Sequence, residues 1–363
     1  MIRFLLIPFL LVSLLFAKTP SLEEMIAQMI VIGFDGTKEG EKWVEQIAKD
    51  IKREKVGGVI LADKNIQNST QLKKLTDYLK AQAPQSLPLI VSVEYEGDDP
   101  SLFSVKKGYT HIYPAHLMAT TKDMSEAAQL YQSISDELSK SGVNVNFAPV
   151  LDLQAKSVTS EDQIKRSYSA YEEIVTTYAL LFVDAMYAHN IVPVAKYFPS
   201  AGTNLGDDFS HEADITASWR FEQLKPYYDL IAYHKLDAVV MSHAMQKELD
   251  ATNPALFSKL MIQNLLRDKM HFEGVVFADH LRTNSFPSGV DFKQRIIKTI
   301  QAGADILVFT NYFADNASMP FTVQKIITDA IRSGEISKEQ IERSYARIVS
   351  FKQKLSKRGS HVN

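Results

Sequence analysis

Residues 274–280 read Gly274-Val275-Val276-Phe277-Ala278-Asp279-His280. A short, unbroken apolar run with β-branched residues follows a glycine and stops at two ionisable groups. Such a run suits a strand buried on both faces of a parallel sheet, with polar groups emerging at its C-terminal end. On its N-terminal side lies an amphipathic stretch of helical length, Ser258–Lys269, with Ser258 as candidate N-cap behind Asn253-Pro254. On its C-terminal side lies another, Phe292–Gln301.

The same unit recurs along the chain. Eight apolar runs come at fairly even spacing: Met29–Phe34, Val56–Leu61, Leu89–Val93, Val143–Pro149, Ile191–Ala195, Ala238–Ser242, Gly274–Ala278 and Ala304–Thr310. Between them lie Glu41–Lys52, Glu126–Leu138, Tyr171–Tyr187, Phe221–Tyr233 and Val323–Ile331, each with apolar residues at helical spacing. In Glu41–Lys52 the apolar face is Val44, Ile47, Ala48 and Ile51. Strand–helix alternation predicts a parallel α/β fold, and a count of eight selects the closed (β/α)8 TIM barrel. The alternative is an open doubly wound sheet; no glycine-rich phosphate loop follows the first run to favour dinucleotide binding. No linker or internal repeat divides residues 18–363, which read as one domain ending in a helix over Lys338–Leu355 and a frayed SKRGSHVN tail.

Composition narrows the function. Of 363 residues, 45% are hydrophobic and 23% charged, and the net charge is −3 without a basic block. A nucleic-acid partner would need a basic surface, so none is expected. The N-terminal stretch MIRFLLIPFLLVSLLFAKTP carries Arg3, an apolar run from Phe4 to Phe16, and Ala17 as a cleavage residue. That layout predicts a signal peptide over 1–17 and an exported, periplasmic or secreted protein. An uncleaved anchor is the other reading, since Leu15 is large for its place, although a membrane span needs about 20 apolar residues. With no Cys there are no disulfides and no lipoprotein attachment.

In a barrel of this kind the active site is built from loops after the strands. The polar residues past each run are Asp35, Asp63, Glu94 with Glu96, Asp152, Lys196, Ser242 with His243, Asp279 with His280, and Asn311. Carboxylates dominate, and no His-x-x-x-His or Cys cluster suggests a metal. A carboxylate-rich mouth is what glycoside hydrolysis needs: one group attacks the anomeric carbon and another protonates the leaving oxygen. A lone strand-end Asp is also a common helix cap, so position alone does not assign these roles.

Seven segments make the reading more specific. They are Phe147-Ala-Pro-Val-Leu-Asp152, Arg166-Ser-Tyr168, Val194-Ala-Lys-Tyr-Phe-Pro199, Val240-Met-Ser-His243, Asn253-Pro-Ala255, Glu273-Gly-Val-Val-Phe-Ala-Asp279 and Ala302-Gly-Ala-Asp-Ile-Leu307. In this order and spacing the chain resembles glycoside hydrolase family 3, in the branch of the bacterial β-N-acetylglucosaminidases. The resemblance implies a (β/α)8 fold, a retaining mechanism, Asp279 as nucleophile, and no metal or organic cofactor. It also implies Lys196 and Arg166 as holders of sugar hydroxyls, with Glu94, Asp152 and His243 as further substrate-site residues. The implied substrate is an amino-sugar glycan of the cell envelope, such as peptidoglycan.

Two loops depart from the family pattern. Where the family has Asp followed by Glu-Gly-Gly-Arg, this chain has Glu94-Tyr95-Glu96-Gly97-Asp98-Asp99, so a basic position has become acidic. A carboxylate cannot stand in for a guanidinium fork. The family's Lys-His-Phe-Pro-Gly-His-Gly and its Asp-Ser-His acid/base loop become Lys196-Tyr-Phe-Pro-Ser-Ala-Gly202 and Asp207-Asp-Phe209-Ser-His211. Gapless alignment puts Asp207 on the dyad Asp and Phe209 on the dyad His. Two functional readings follow. In one, the chain is a glycosidase whose acid/base is His211, Asp207 or Asp208. In the other, the barrel has lost its chemistry and binds a glycan or an envelope protein.

Overall fold

The computed structural model describes residues 19–84, 86–97, 102–154, 165–201, 213–278, 280–281, 289–310 and 318–357. The predicted signal segment and residues 358–363 of the expected tail lie outside them, while Ser356 and Lys357, expected to be frayed, belong to the last helix. The strands are β1 Ile30–Gly33, β2 Gly58–Ile60, β3 Ile90–Val93, β4 Val145–Asn146, β5 Val192–Pro193, β6 Ala195–Phe198, β7 Ala238–Met241, β8 Val275–Ala278 and β9 Ile306–Phe309. They form one sheet in the order β5-β4-β3-β2-β1-β9-β8-β7-β6. Every ladder is parallel. The two ends of that order, β5 and β6, are consecutive in the chain, so the sheet closes on itself as a (β/α)8 barrel.

All eight predicted runs contain a strand. The fifth differs from expectation. Its ladder is interrupted at Val194, with Val192–Pro193 pairing β4 and Ala195–Phe198 pairing β7. Beyond Val194 it stays against the fourth stave, through Lys196 N to Pro149 O at 3.0 Å and Leu151 N to Lys196 O at 2.7 Å. The stave therefore runs three residues past its apolar run, and Lys196 sits within a strand rather than after one. A cationic side chain inside a buried strand breaks the hydrophobic pattern, so the extension does not read as a strand from sequence.

The helices are α1 Leu22–Gln28, α2 Lys42–Lys52, α3 Ser69–Lys80, α4 Ala115–Thr121, α5 Met124–Lys140, α6 Glu172–Ala188, α7 Lys225–Ala232, the π-wound α8 Leu260–Lys269, α9 Phe292–Ala302, α10 Met319–Arg332 and α11 Lys338–Lys357. Three of them, α1, α3 and α4, lie outside the stretches singled out by periodicity. Local chemistry explains most ends. Asp123 caps α5 by accepting from Ser125 N at 2.8 Å and Glu126 N at 2.9 Å, while Glu126 reaches back to the Asp123 amide. Ala127, Tyr131, Ile134 and Leu138 then share the buried face. Ser258 accepts from Met261 N at 3.1 Å, as its N-cap reading requires. The expected helix Phe221–Tyr233 starts as a 3-10 turn and becomes α-helical at Lys225, with Pro226 in the first turn, where no amide partner is needed.

Phe277 of β8 packs edge-on against Phe147 at 5.1 Å between ring centroids and against Phe351 of α11 at 5.9 Å. The C-terminal helix thus closes the N-terminal end of the barrel. Gly274 permits a tight approach there: a Cβ would lie 2.3 Å from Asp237 O. Asp305, fully buried, gathers Arg267 Nη2 at 2.7 Å, Val276 N at 2.9 Å, Ser344 Oγ at 2.9 Å and Arg347 Nη1 at 3.0 Å. This ties α8, β8 and α11 to the strand entry of β9. Lys352, also buried, donates to Gln28 Oε1 at 2.7 Å and Gly57 O at 2.6 Å. Among the described residues, no helix is long and apolar enough to cross a membrane.

Candidate active site

The C-terminal ends of the strands carry a compact charged cluster. Lys196 of β6 is 1% exposed, and its ammonium contacts both Glu94 Oε1 and Glu96 Oε1. Glu94 and Glu96 follow β3 on the neighbouring side of the barrel mouth. Arg166 forms a fork on Glu96, Nε to Oε2 at 2.7 Å and Nη2 to Oε1 at 2.6 Å. Its Nη2 also donates to the Tyr197 hydroxyl at 2.9 Å, and that hydroxyl lies 3.4 Å from Glu94 Oε1. Two cations thus face two carboxylates, and the cluster is neutral as a unit.

Electrostatics follow from that pairing. Burial disfavours ionised Glu94, but Lys196 and His280 outweigh it and hold the carboxyl well below the usual range. Glu96 is likewise held down against burial by Lys196 and Arg166. For Lys196, burial favours the neutral amine, yet Glu94 and Glu96 together push its pKa up. For Arg166, burial acts in the same sense and is overcome chiefly by Glu96, so its pKa rises. Burial pushes the Tyr197 phenol up despite the two cations beside it. At neutral pH the site therefore presents fixed charges and a neutral phenol.

A small pocket with room for about one water adjoins the cluster. Its floor is Ile60, Phe147, Val240, Ala278 and Val308 from the strand ends, and its polar wall is Glu94, Lys196, Tyr197 and His280. Apolar walls with a few converging polar groups are the usual make-up of a small-molecule site. Glu94 keeps 34% of its side chain accessible, whereas Lys196 is sealed behind it.

The other expected residues fall into place around this centre. Asp152 is 1% exposed, and its carboxylate is engaged by protein groups. Oδ1 accepts from Tyr197 N at 3.2 Å, and Oδ2 from Ser200 Oγ at 2.9 Å and Ala201 N at 2.6 Å. It holds the end of β6 in position rather than facing the pocket. His243 is buried two residues past β7 and is not part of the pocket wall. Asp35 and Asp63 pair with the surface lysines Lys64 and Lys107 and stay outside the site. Asp279, Asp207, Asp208, Phe209, His211, Asp98, Asp99 and Asn311 lie outside the described residues. Asp279 follows directly on Ala278, which lines the pocket. Sequence reasoning named Glu96 only as a strand-end candidate and passed over Tyr197. The signal for Tyr197 was its place next to Lys196; a strand extension would have exposed it.

A closed parallel barrel with carboxylates and buried cations gathered at its strand ends has the frame of a (β/α)8 hydrolase. The glycosyl hydrolase family 3 N-terminal domain matches residues 21–351, and the chain belongs to that family. A β-hexosaminidase of Tolumonas auensis is 30% identical over 261 residues, covering 70% of this chain and 76% of that protein. The solved family 3 β-N-acetylglucosaminidase of Paenibacillus sp. str. FPU-7 superposes with a TM-score of 0.82 at 25% identity. The match covers 93% of this chain and 63% of that one, so the chain spans less than two thirds of that protein. A β-N-acetylhexosaminidase of Beutenbergia cavernae shares the fold, with a TM-score of 0.79 at 22% identity over 93% of this chain and all (100%) of the other.

Proposed function

We propose that the chain is a retaining β-glycosidase of the β-N-acetylhexosaminidase kind, acting on amino-sugar glycans of the cell envelope after export. The observation that carries the reading is the neutral Lys196–Arg166–Glu94–Glu96 cluster, of which Glu94 and Lys196 line a pocket beside β8, the strand that leads into Asp279. Neutral sugars offer hydroxyls, which both donate and accept, so fixed carboxylates and cations in one wall suit them.

In this reading the Asp279 carboxylate attacks the anomeric carbon as the glycosidic C–O bond breaks, and the electron pair leaves on the glycosidic oxygen. A group of the 202–212 loop, His211 or Asp207, delivers a proton to that oxygen. Water then attacks the glycosyl ester, gives its proton back to the same group, and frees Asp279. Such an acid contributes about 10²–10⁴ in rate.

Turnover of an aryl N-acetyl-β-glucosaminide by purified protein is the test. Wild type should release the phenol, and Asp279→Asn should be slower by about 10³-fold or more. Equal inertness of both proteins would sink the activity. His211→Ala should slow substrates with poor leaving groups far more than activated ones. For export, N-terminal sequencing of the protein from its host should begin near Lys18; intact chain in the cytoplasm would overturn it.

A further inference from the structure

A second opening lies at the other end of the barrel. It is an open cleft of about 770 Å³, within the usual size range of small-molecule sites. Val275, the first residue of β8, lines it, whereas Ala278, the last, lines the pocket beside Lys196. The two openings therefore sit at opposite ends of one strand. The walls of the cleft are the last turns of α7, the corners that lead into β7 and β8, and one face of α11. Phe272 and Phe351 supply buried apolar surface, and Tyr228, 41% exposed, adds an accessible ring.

Two histidines mark the corners. His234 and His271 stand just past the ends of α7 and α8, at φ of 54° and 57°. Glycine is the usual residue at such a left-handed helix end, because a Cβ is penalised there. Glu54 and Asn190 take the same conformation at other corners; what sets the two histidines apart is that both line one cleft.

His234, Lys269, His271 and Glu273 all line it, and none makes a side-chain hydrogen bond or ion pair with another described residue. The other charges are engaged, Lys354 with Asp237 and Arg347 with Asp305. Among the described residues no three His, Asp or Glu groups converge as metal ligands would. The uncommitted groups are thus one cation, one carboxylate and two imidazoles, with no excess of either sign while the imidazoles are neutral. The carbonyl ends of α7 and α8 both lie at the cleft, which disfavours an anion. A neutral imidazole has one donor and one acceptor, the complement of a hydroxyl. An aromatic ring offers an apolar face to the C–H side of a pyranose.

We propose that this cleft is a second carbohydrate site, which holds a stretch of amino-sugar glycan away from the barrel mouth. The kind of glycan rests on the glycosidase reading; the site does not rest on turnover. Tyr228 packs against a sugar ring, and His234, Lys269, His271 and Glu273 bond its hydroxyls. Holding a polymer at a second point raises the effective concentration of its sugars at the mouth without any new contact there.

The test is calorimetric titration of the full chain carrying Asp279→Asn with the β-1,4-linked tetramer of N-acetylglucosamine. A binding equivalent should appear that Tyr228→Ala and His271→Gly each weaken about tenfold, the size of one lost contact. Glycine is at ease at a φ of 57°, so His271→Gly should unfold no earlier than its parent on heating, which separates a lost contact from a lost fold. With Asp279 intact, neither substitution should change kcat or KM on the aryl N-acetyl-β-glucosaminide, which is too small to reach both ends of the barrel. Unchanged tetramer affinity in either variant, or no binding of the tetramer, would overturn the proposal. So would an equal loss on the aryl glycoside, which would place the effect at the mouth. Tighter binding of acetylated, amidated tetra-alanine, lost in the same variants, would assign the cleft to peptide and overturn it as well. Inertness of wild type on the aryl glycoside would remove the enzymatic reading alone, and the titration would still decide the cleft.

Discussion

Replacing Lys196 by Met should unmask the balance on which the site is built. Lys196 is 1% exposed and its ammonium serves two carboxylates, Glu94 and Glu96. Met fills nearly the same volume, so packing changes little and the charge is what is lost. Removing one partner of a buried pair costs about 3–5 kcal/mol, because the remaining charge is left uncompensated. Here two carboxylates remain, offset among the described residues by the Arg166 fork on Glu96 and, more weakly, by His280 beside Glu94. In wild type both glutamates have lowered pKa values. Their contribution to stability is therefore present above the unfolded glutamate value of about 4.3 and lost as pH falls through the lowered native value. In Lys196→Met the sign reverses for Glu94: burial and the neighbouring Glu96 raise its native pKa above the unfolded one. A proton then replaces the missing cation as pH falls, and the penalty is relieved. Urea unfolding at pH 7 should show a loss of about 3–5 kcal/mol relative to wild type, shrinking to about 1–2 kcal/mol near pH 4.5. A loss below about 1 kcal/mol at pH 7, or one that does not change with pH, would refute the shared-cation account.

Other outcomes follow from the same structure. Asp305→Ala leaves Arg267 and Arg347 facing a hole at the closed end of the barrel, and thermal unfolding should show a loss of about 3–5 kcal/mol with little change in sugar affinity. Burial pulls Lys352 down to about 7, against about 10.4 in an unfolded chain, so the native state binds fewer protons between those values. Stability should climb by a few kcal/mol as pH rises from 7 toward 10, and Lys352→Met should abolish that climb in denaturant titrations. Tyr197→Phe removes the acceptor for Arg166 Nη2 at 2.9 Å; it should cost about 1 kcal/mol of stability and raise KM several-fold, measured on the aryl glycoside.

The barrel was legible because burial on both faces of a parallel sheet requires continuous apolar runs, and Val275–Ala278 and its counterparts supply them. The helix start capped by Ser258 could also be read locally, since its partner lies three residues on; the equally local cap at Asp123 was passed over. The short helices α1 and α4 were not legible, because one or two turns hold too few positions for a period to show. Of the site, the charged residues at strand ends could be named from position alone. Their pairing could not.

Local pattern alone was enough for the eight staves, for the face of the barrel on which chemistry would collect, and for the resemblance that makes Asp279 the candidate nucleophile. Tertiary structure decided that the fifth stave continues past its apolar run and carries Lys196 inside the barrel wall. It also decided that Glu94 and Glu96 share that ammonium, that Arg166 is held by Glu96 across 70 residues of chain, and that Asp152 braces a strand end instead of facing the pocket. The physical reason is distance along the chain. Hydrophobic periodicity and capping act between near neighbours and leave their mark on the local sequence, whereas ion pairs join groups brought together only when the barrel closes.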